Sequence, residues 1–335
     1  MTTSRRDLFK YMALAGSMLV APTIAFAKDA KKEPAIVIGH KNPDTDSIVG
    51  ALAAAHLYKA RGINAIAGAQ GPLNPETEFV VKRFKLPILY TVTSVAGKDV
   101  FLVDFAERGQ APDDFDKCNL RGIVDHHKLG DVTSAYPLEC WIQPLGSACT
   151  ILKLMFDYYK VAIPKNLAGG MLCAVLSDTV IFKSPTCTDI DRKVAKDLAK
   201  IAGIKNIEEL GLEMFKAKSN LNDSPRNLIK RDYKEYDMGG KKVGIGQLEL
   251  VSLAMVNDGL KAALKKELVA LQKEGRHTVI LLLTDIMQKG TELMVASADE
   301  AAVLKALKVN KPNMWMPGVM SRKKQIVPPL QIMFK

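Results

Sequence analysis

Ala35-Ile36-Val37-Ile38-Gly39-His40-Lys41-Asn42-Pro43-Asp44-Thr45-Asp46-Ser47 passes from four apolar residues to a cluster of helix-capping residues. Ala35–Ile38 reads as a short buried strand, and Ser47 to Arg61 carries the apolar spacing of a helix. Between them His40, Asp44 and Asp46 fall at i, i+4 and i+6, across a turn that Asn42-Pro43 bends. Such spacing can wrap a cation rather than display side chains along one helix face. Capping of the helix accounts for one aspartate and leaves the other, and the histidine, without a role.

The same pattern recurs downstream. Val100-Phe101-Leu102-Val103 runs into Asp104, and Gly122-Ile123-Val124 runs into Asp125-His126-His127. Three strand-like runs thus deliver histidine or aspartate at their C-terminal ends, which is where open α/β sheets bind ligands. Asp178 lies in the otherwise apolar Ala174–Ile181, where a buried carboxylate needs a partner. Of five histidines, three sit in these segments; His56 and His277 stand apart and read as structural. Imidazole with several carboxylates and no nearby thiolate suits hard divalent cations, hence hydrolytic metal chemistry. Adjacent histidines in a loop point in different directions, so one can bind metal while the other faces a substrate.

Periodicity predicts further strands at 63–67, 243–250, 277–284 and 292–297, and one after Arg322. It predicts helices at 76–84, 147–159, 166–182, 191–202, 260–273 and 299–308. The expected fold class is α/β, with a first domain over 34–216, a polar linker at 217–225 and a smaller α/β domain over 226–335. No repeat or low-complexity tract appears. A length of 335 residues with 48% hydrophobic content favours two domains, and 6% aromatics disfavours a base-stacking nucleic-acid platform.

Residues 1–27 read as a leader. Ser4-Arg5-Arg6-Asp7-Leu8-Phe9-Lys10 is a basic start, an apolar run follows, and Ala25-Phe26-Ala27 is a small-x-small cleavage site. The pattern resembles a twin-arginine (Tat) export signal, differing only in the order Leu8-Phe9. It implies passage through the Tat translocase, cleavage after Ala27, a periplasmic or otherwise exported product and no stable membrane insertion afterwards. The net charge of +11 falls to +9 without this segment, leaving 44 basic against 35 acidic residues. That surplus suits an anionic partner without specifying one. Five cysteines at 118, 140, 149, 173 and 187 lack CxxC spacing. Cys149 and Cys173 read as buried thiols, and none is expected in catalysis.

Taken together, GHKNPDTDS, VDF, VDHHK, LSDTVIFKSPTCT and Gly318-Val319-Met320-Ser321-Arg322-Lys323-Lys324-Gln325 resemble the family II, manganese-dependent inorganic pyrophosphatases of the DHH phosphoesterase superfamily. The resemblance implies an N-terminal, mainly parallel sheet flanked by helices, a smaller DHHA2-like domain and an active site between them. It implies one metal held by His40, Asp44 and Asp104 and a second by Asp46, Asp104, His126 and Asp178, with Asp104 bridging. His127, Lys234, Arg322 and Lys323 would bind and act on pyrophosphate. Two Mn²⁺ per site are implied, with Co²⁺ or Mg²⁺ as substitutes, Mg²⁺ accompanying the substrate, no nucleic-acid partner and a homodimer. The family usually carries His-Asn after the bridging aspartate; here Phe105-Ala106 stands instead. An exopolyphosphatase of the same superfamily remains the alternative, followed by another DHH phosphoesterase.

Overall fold

The computed structural model describes residues 33–335, so the export signal expected over 1–27 lies outside the described residues. Strand β1 (Ala35–Ile38) leads to α1 (Thr45–Ala60), then β2 (Ala65–Ala69), α2 (Pro75–Phe84), β3 (Tyr90–Thr91), β4 (Asp99–Val103), β5 (Asn119–Asp125) and β6 (Glu139–Ile142). Helices α3 (Ala148–Tyr158), α4 (Lys165–Asp178), α5 (Asp189–Ala202) and α6 (Ile207–Lys218) complete this half. Its six strands run parallel in the order β3-β2-β1-β4-β5-β6.

A parallel sheet covered on both faces needs strands that are apolar throughout. In β1, Ala35 and Val37 join a cluster with α1, α3 and α4, while Ile36 and Ile38 face the opposite layer with Val100, Leu102 and Phe115. Gly39 ends the strand because α1 passes too close for a side chain. A Cβ there would stand 2.5 Å from Ser47 Cβ and 2.7 Å from the Ser47 carbonyl oxygen.

The second half comprises α7 (Pro225–Lys230), β7 (Tyr233–Met238), β8 (Lys241–Leu250), α8 (Asp258–Lys273), β9 (Thr278–Asp285), β10 (Gly290–Ser297), α9 (Glu300–Leu307), β11 (Trp315–Pro317) and α10 (Val327–Met333). Its sheet runs β11-β10-β9-β8-β7, parallel only between β8 and β9. Alternate β9 residues feed separate clusters: Val279, Leu281 and Leu283 face one side, Ile280 and Leu282 the other.

Three expectations are corrected. No strand follows Arg322: a wide helical turn over Arg322–Ile326 runs into α10. Ser321 Oγ accepts from Lys324 N, Gln325 Oε1 accepts from Met320 N and Ser321 N, and Pro328 and Pro329 suit the first turn of a helix while lacking donors for a ladder. The helix expected over 166–182 stops at Asp178, and Val180, Ile181 and Phe182 then adopt left-handed backbone with φ of 50°, 49° and 62°. Such geometry costs on the order of 1–2 kcal/mol per residue and needs surrounding contacts to hold it. Ala217 and Lys218 are helical, so the irregular connection between halves spans 219–224.

Candidate active site

Because β1, β4 and β5 are neighbours, His40, Asp104 and Asp125-His126-His127 emerge side by side at one sheet edge. His40 Nε2 lies 3.3 Å from Asp44 Oδ2 and 3.3 Å from Asp104 Oδ2. His126 Nε2 lies 3.1 Å from Asp104 Oδ1 and 3.3 Å from Asp178 Oδ2. Asp104 therefore offers one oxygen to each histidine. Donor atoms of His40, Asp44 and Asp104 form one group within 4.8 Å, and those of Asp46, Asp104, His126 and Asp178 form another. His127 joins Asp104 and His126 in a third.

Local hydrogen bonds aim these groups. His40 Nδ1 donates to the Lys41 carbonyl (2.7 Å) and His126 Nδ1 to the Leu145 carbonyl (3.0 Å), so each ring turns its Nε2 toward the cluster. Asp44 Oδ1 accepts from Ser47 N at 2.9 Å and caps α1, leaving Oδ2 for His40; the aspartate is cap and cluster member at once. Asp46 accepts from Ser147 Oγ, Ala148 N and Cys149 N at the start of α3. Ser47 Oγ donates to Asp104 Oδ2 at 3.0 Å. Asn42 and Asp104 both take left-handed φ, at 53° and 68°, which asparagine and aspartate adopt more readily than most residues.

The second half supplies the cations. Arg322 Nη1 donates to the carbonyls of Asp232 and Ile245, and Nη2 donates to Asp232 Oδ1 at 2.7 Å. The guanidinium is thereby fixed before any anion arrives. Lys323 Nζ is buried without a hydrogen-bond partner among the described residues. Lys234 sits on β7, and with Arg322, Lys323, His126 and His127 it lines two adjoining cavities of about 120 and 460 Å³. Phe105, Ala106, Leu145 and Val327 form part of the wall of the larger one. Lys324 Nζ donates to the Pro185 carbonyl, joining the two halves at its rim.

Two family descriptions match the chain: the DHH family N-terminal domain over residues 34–175 and the DHHA2 domain over 212–333. A protein of Archaeoglobus fulgidus named "Probable manganese-dependent inorganic pyrophosphatase" is 45% identical over 317 residues, covering 89% of this chain and 97% of that one. The manganese-dependent inorganic pyrophosphatase of Methanocaldococcus jannaschii is 42% identical over 308 residues, covering 88% and 97%. The chain belongs to the manganese-dependent inorganic pyrophosphatases. The fold agrees: a crystal structure of a Methanococcus jannaschii protein matches with a TM-score of 0.83 at 41% identity, covering 89% of this chain and 98% of that one.

The donor set of this family member fits divalent cations on its own electrostatics. Loss of water, then Asp104, raises the Asp46 pKa to about 6. Asp178 is pushed well above the carboxylate range by desolvation and by Asp46, Asp44 and Asp104. Desolvation and Lys234 oppose protonation of His40, yet Asp44 and Asp104 hold its pKa up at about 10. The cluster is short of positive charge, which cations between the carboxylates would supply. His127 is the opposite case: desolvation, Lys323 and Lys234 drive its pKa well below the usual histidine value.

Every metal-type residue expected from the sequence lies in this cluster, and His127, Lys234, Arg322 and Lys323 line the cavities beside it. His56 and His277 lie outside the donor groups, against Phe156 and Phe334. Cys149 and Cys173 are buried free thiols. Sequence reasoning missed Ser47, Asp232 and Asp125 as orienting groups. Asp125 Oδ1 accepts from His126 N, His127 N and His127 Nδ1, in the manner of an aspartate closing a tight turn.

Proposed function

We propose that the chain hydrolyses inorganic pyrophosphate to two phosphates. Manganese would be held in one position by His40, Asp44 and Asp104 and in another by Asp46, Asp104, His126 and Asp178. A divalent pair of this kind, when bound, supplies Lewis acidity and makes water nucleophilic near neutral pH. Arg322 and Lys323, with Lys234, neutralise phosphoryl oxygens from the opposite wall, arginine through its planar fork and lysine as a point charge. Neutral His127, donating through Nδ1 to Asp125, presents a free Nε2 that accepts a hydrogen bond or takes a proton. It can donate to a leaving oxygen only after acquiring that proton. Mg²⁺ accompanies the substrate, and Co²⁺ or Mg²⁺ are the substitutes for manganese.

One observation supports this reading above the rest: a shared aspartate lies between two histidines and lines one cavity with three cations from the other half, Lys234, Arg322 and Lys323. Release of phosphate from pyrophosphate, tripolyphosphate and long-chain polyphosphate, across Mn²⁺, Co²⁺, Mg²⁺ and Zn²⁺, tests it. Pyrophosphate with Mn²⁺ should be the fastest combination; faster turnover of polyphosphate would make the chain an exopolyphosphatase.

The sequence supports a DHH domain over 34–216, a phosphate-binding domain over 226–335 and export by the Tat route, and the family resemblance suggests a homodimer. Fractionation with N-terminal sequencing checks the export signal. A protein starting at Met1 and confined to the cytosol would remove it. Sedimentation of the mature chain checks the dimer.

A further inference from the structure

Behind the donor cluster lies a buried chain of polar groups with no role in the account above. Glu76, at the start of α2, is 1% exposed. Its Oε1 accepts from Thr45 Oγ1 at 2.7 Å and from Ser177 Oγ at 2.6 Å. Thr45 stands between Asp44 and Asp46, and Ser177 precedes Asp178. One carboxylate oxygen therefore ties together the start of α1 and the end of α4, the two helix ends that carry cluster carboxylates. The other oxygen, Oε2, lies 3.1 Å from Lys218 Nζ, paired by charge without hydrogen-bond geometry. Lys218 is the last residue of α6, next to the connection between halves, and its Nζ donates to Glu249 Oε2 on β8 at 2.6 Å. Desolvation works against the charge on Lys218, but Glu249 and Glu76 outweigh it and raise its pKa further.

We infer that Glu76 is a positioning residue for the metal centre and that Lys218 links it to the second sheet, so donor spacing depends on how that sheet is docked. Glu76 belongs to none of the donor groups and reaches the carboxylates only through their neighbours' hydroxyls. Loss of such an orienting partner typically weakens metal binding 10–100-fold. Lys218 is shared by Glu76 on one half and Glu249 on the other, so a shift between the halves must break one pair or drag Glu76 with it. Simple packing would not require a charged chain here, because unpaired buried charges are costly. The inference rests on the two-metal reading proposed above.

The test titrates Mn²⁺ into full-length, metal-stripped protein against a chromogenic chelator, which needs no turnover. Glu76→Ala should weaken Mn²⁺ about 10–100-fold. Its turnover should recover to within about threefold of wild type at saturating Mn²⁺, with KM for pyrophosphate little changed. Lys218→Met should weaken Mn²⁺ by a smaller factor, and the double variant should bind no worse than Glu76→Ala alone, as expected of groups acting in series. Should Glu76→Ala fold poorly, Thr45→Val and Glu76→Leu carry the same titration. Mn²⁺ affinity within twofold of wild type in the folded Glu76 or Thr45 variants overturns the positioning role. Multiplicative losses in the double variant overturn the link through Lys218. A wild type that binds Mn²⁺ but leaves pyrophosphate intact refutes the proposed function instead, and the titration still reads the positioning role.

Discussion

Asp104 Oδ1 and His126 Nε2 lie 3.1 Å apart, shut away from water, and neither atom has a hydrogen-bond partner among the described residues. With the proton of His126 engaged at Nδ1, the two atoms face each other as acceptors. A lone pair against a carboxylate at this distance is unfavourable unless a cation or proton lies between them. The other side differs: Asp104 Oδ2 accepts from Ser47 Oγ and lies 3.3 Å from His40 Nε2, which is also paired with Asp44 Oδ2.

Asp104→Asn should therefore abolish turnover, by at least ~10³-fold, and lower bound manganese, while the circular dichroism spectrum stays native. Loss of a carboxylate proposed to hold both metals would touch chemistry directly. Asparagine is the better probe than alanine, because position 104 has φ of 68° and asparagine tolerates that region. Near-normal hydrolysis by metal-analysed Asp104→Asn would take this residue out of the reaction.

Removal of metal should lower thermal stability, because the carboxylates then repel one another without compensation. A ligand at a hundredfold excess over its Kd stabilises by about 2.7 kcal/mol. Mn²⁺ titrated into stripped protein should raise Tm by several degrees, and Ca²⁺ should raise it less. A Tm indifferent to Mn²⁺ would mean that the cluster binds none.

Arg322→Lys should behave as a severe change. The guanidinium spans Asp232 and two backbone carbonyls while keeping donors free for an anion, and an ammonium cannot do both. Loss of kcat/KM by about 10–100-fold is expected from the missing charge-assisted contacts, with manganese content retained. Steady-state kinetics alongside metal analysis separates this outcome from a folding defect.

Much of the site was legible because chemistry and strand ends coincide. His40, Asp104 and His126 each follow an apolar run, so parallel topology alone brings them together. Asp178 was visible as a carboxylate in an apolar helix. Less visible were β7 and α6: Tyr233–Met238 alternates poorly and gains its order from pairing with β8. The final segment misled because its apolar residues suit either a strand or a helix, and the Pro328-Pro329 pair decides for the helix. Nor can local pattern reveal Glu76, whose partners lie 31 and 101 residues away.

Gly39→Ala should damage stability and metal binding together. The added Cβ meets Ser47 Cβ and backbone, and Ser47 Oγ is the donor that holds Asp104 Oδ2. Overpacking of this kind costs typically 1–3 kcal/mol. Denaturant unfolding and Mn²⁺ titration of the same variant should both shift; a change in stability alone would show that Ser47 moves without disturbing Asp104.

Phe105→His tests whether the departure at Phe105-Ala106 is compensated. Phe105 is 3% exposed and packs in the apolar layer with Ile38, Leu102 and Phe115. The orientation of Asp104 comes instead from Ser47 Oγ, which donates to its Oδ2, and from His40 Nε2 beside that same oxygen; neither is altered by this substitution. An imidazole buried there without a partner costs roughly 1–3 kcal/mol. Equilibrium unfolding should show that loss, while kcat with saturating Mn²⁺ rises by no more than about threefold, well short of a restored orienting partner. A tenfold or larger gain in kcat would mean that the apolar wall holds the reaction back, and that the bonds to Asp104 do not replace a polar group at position 105.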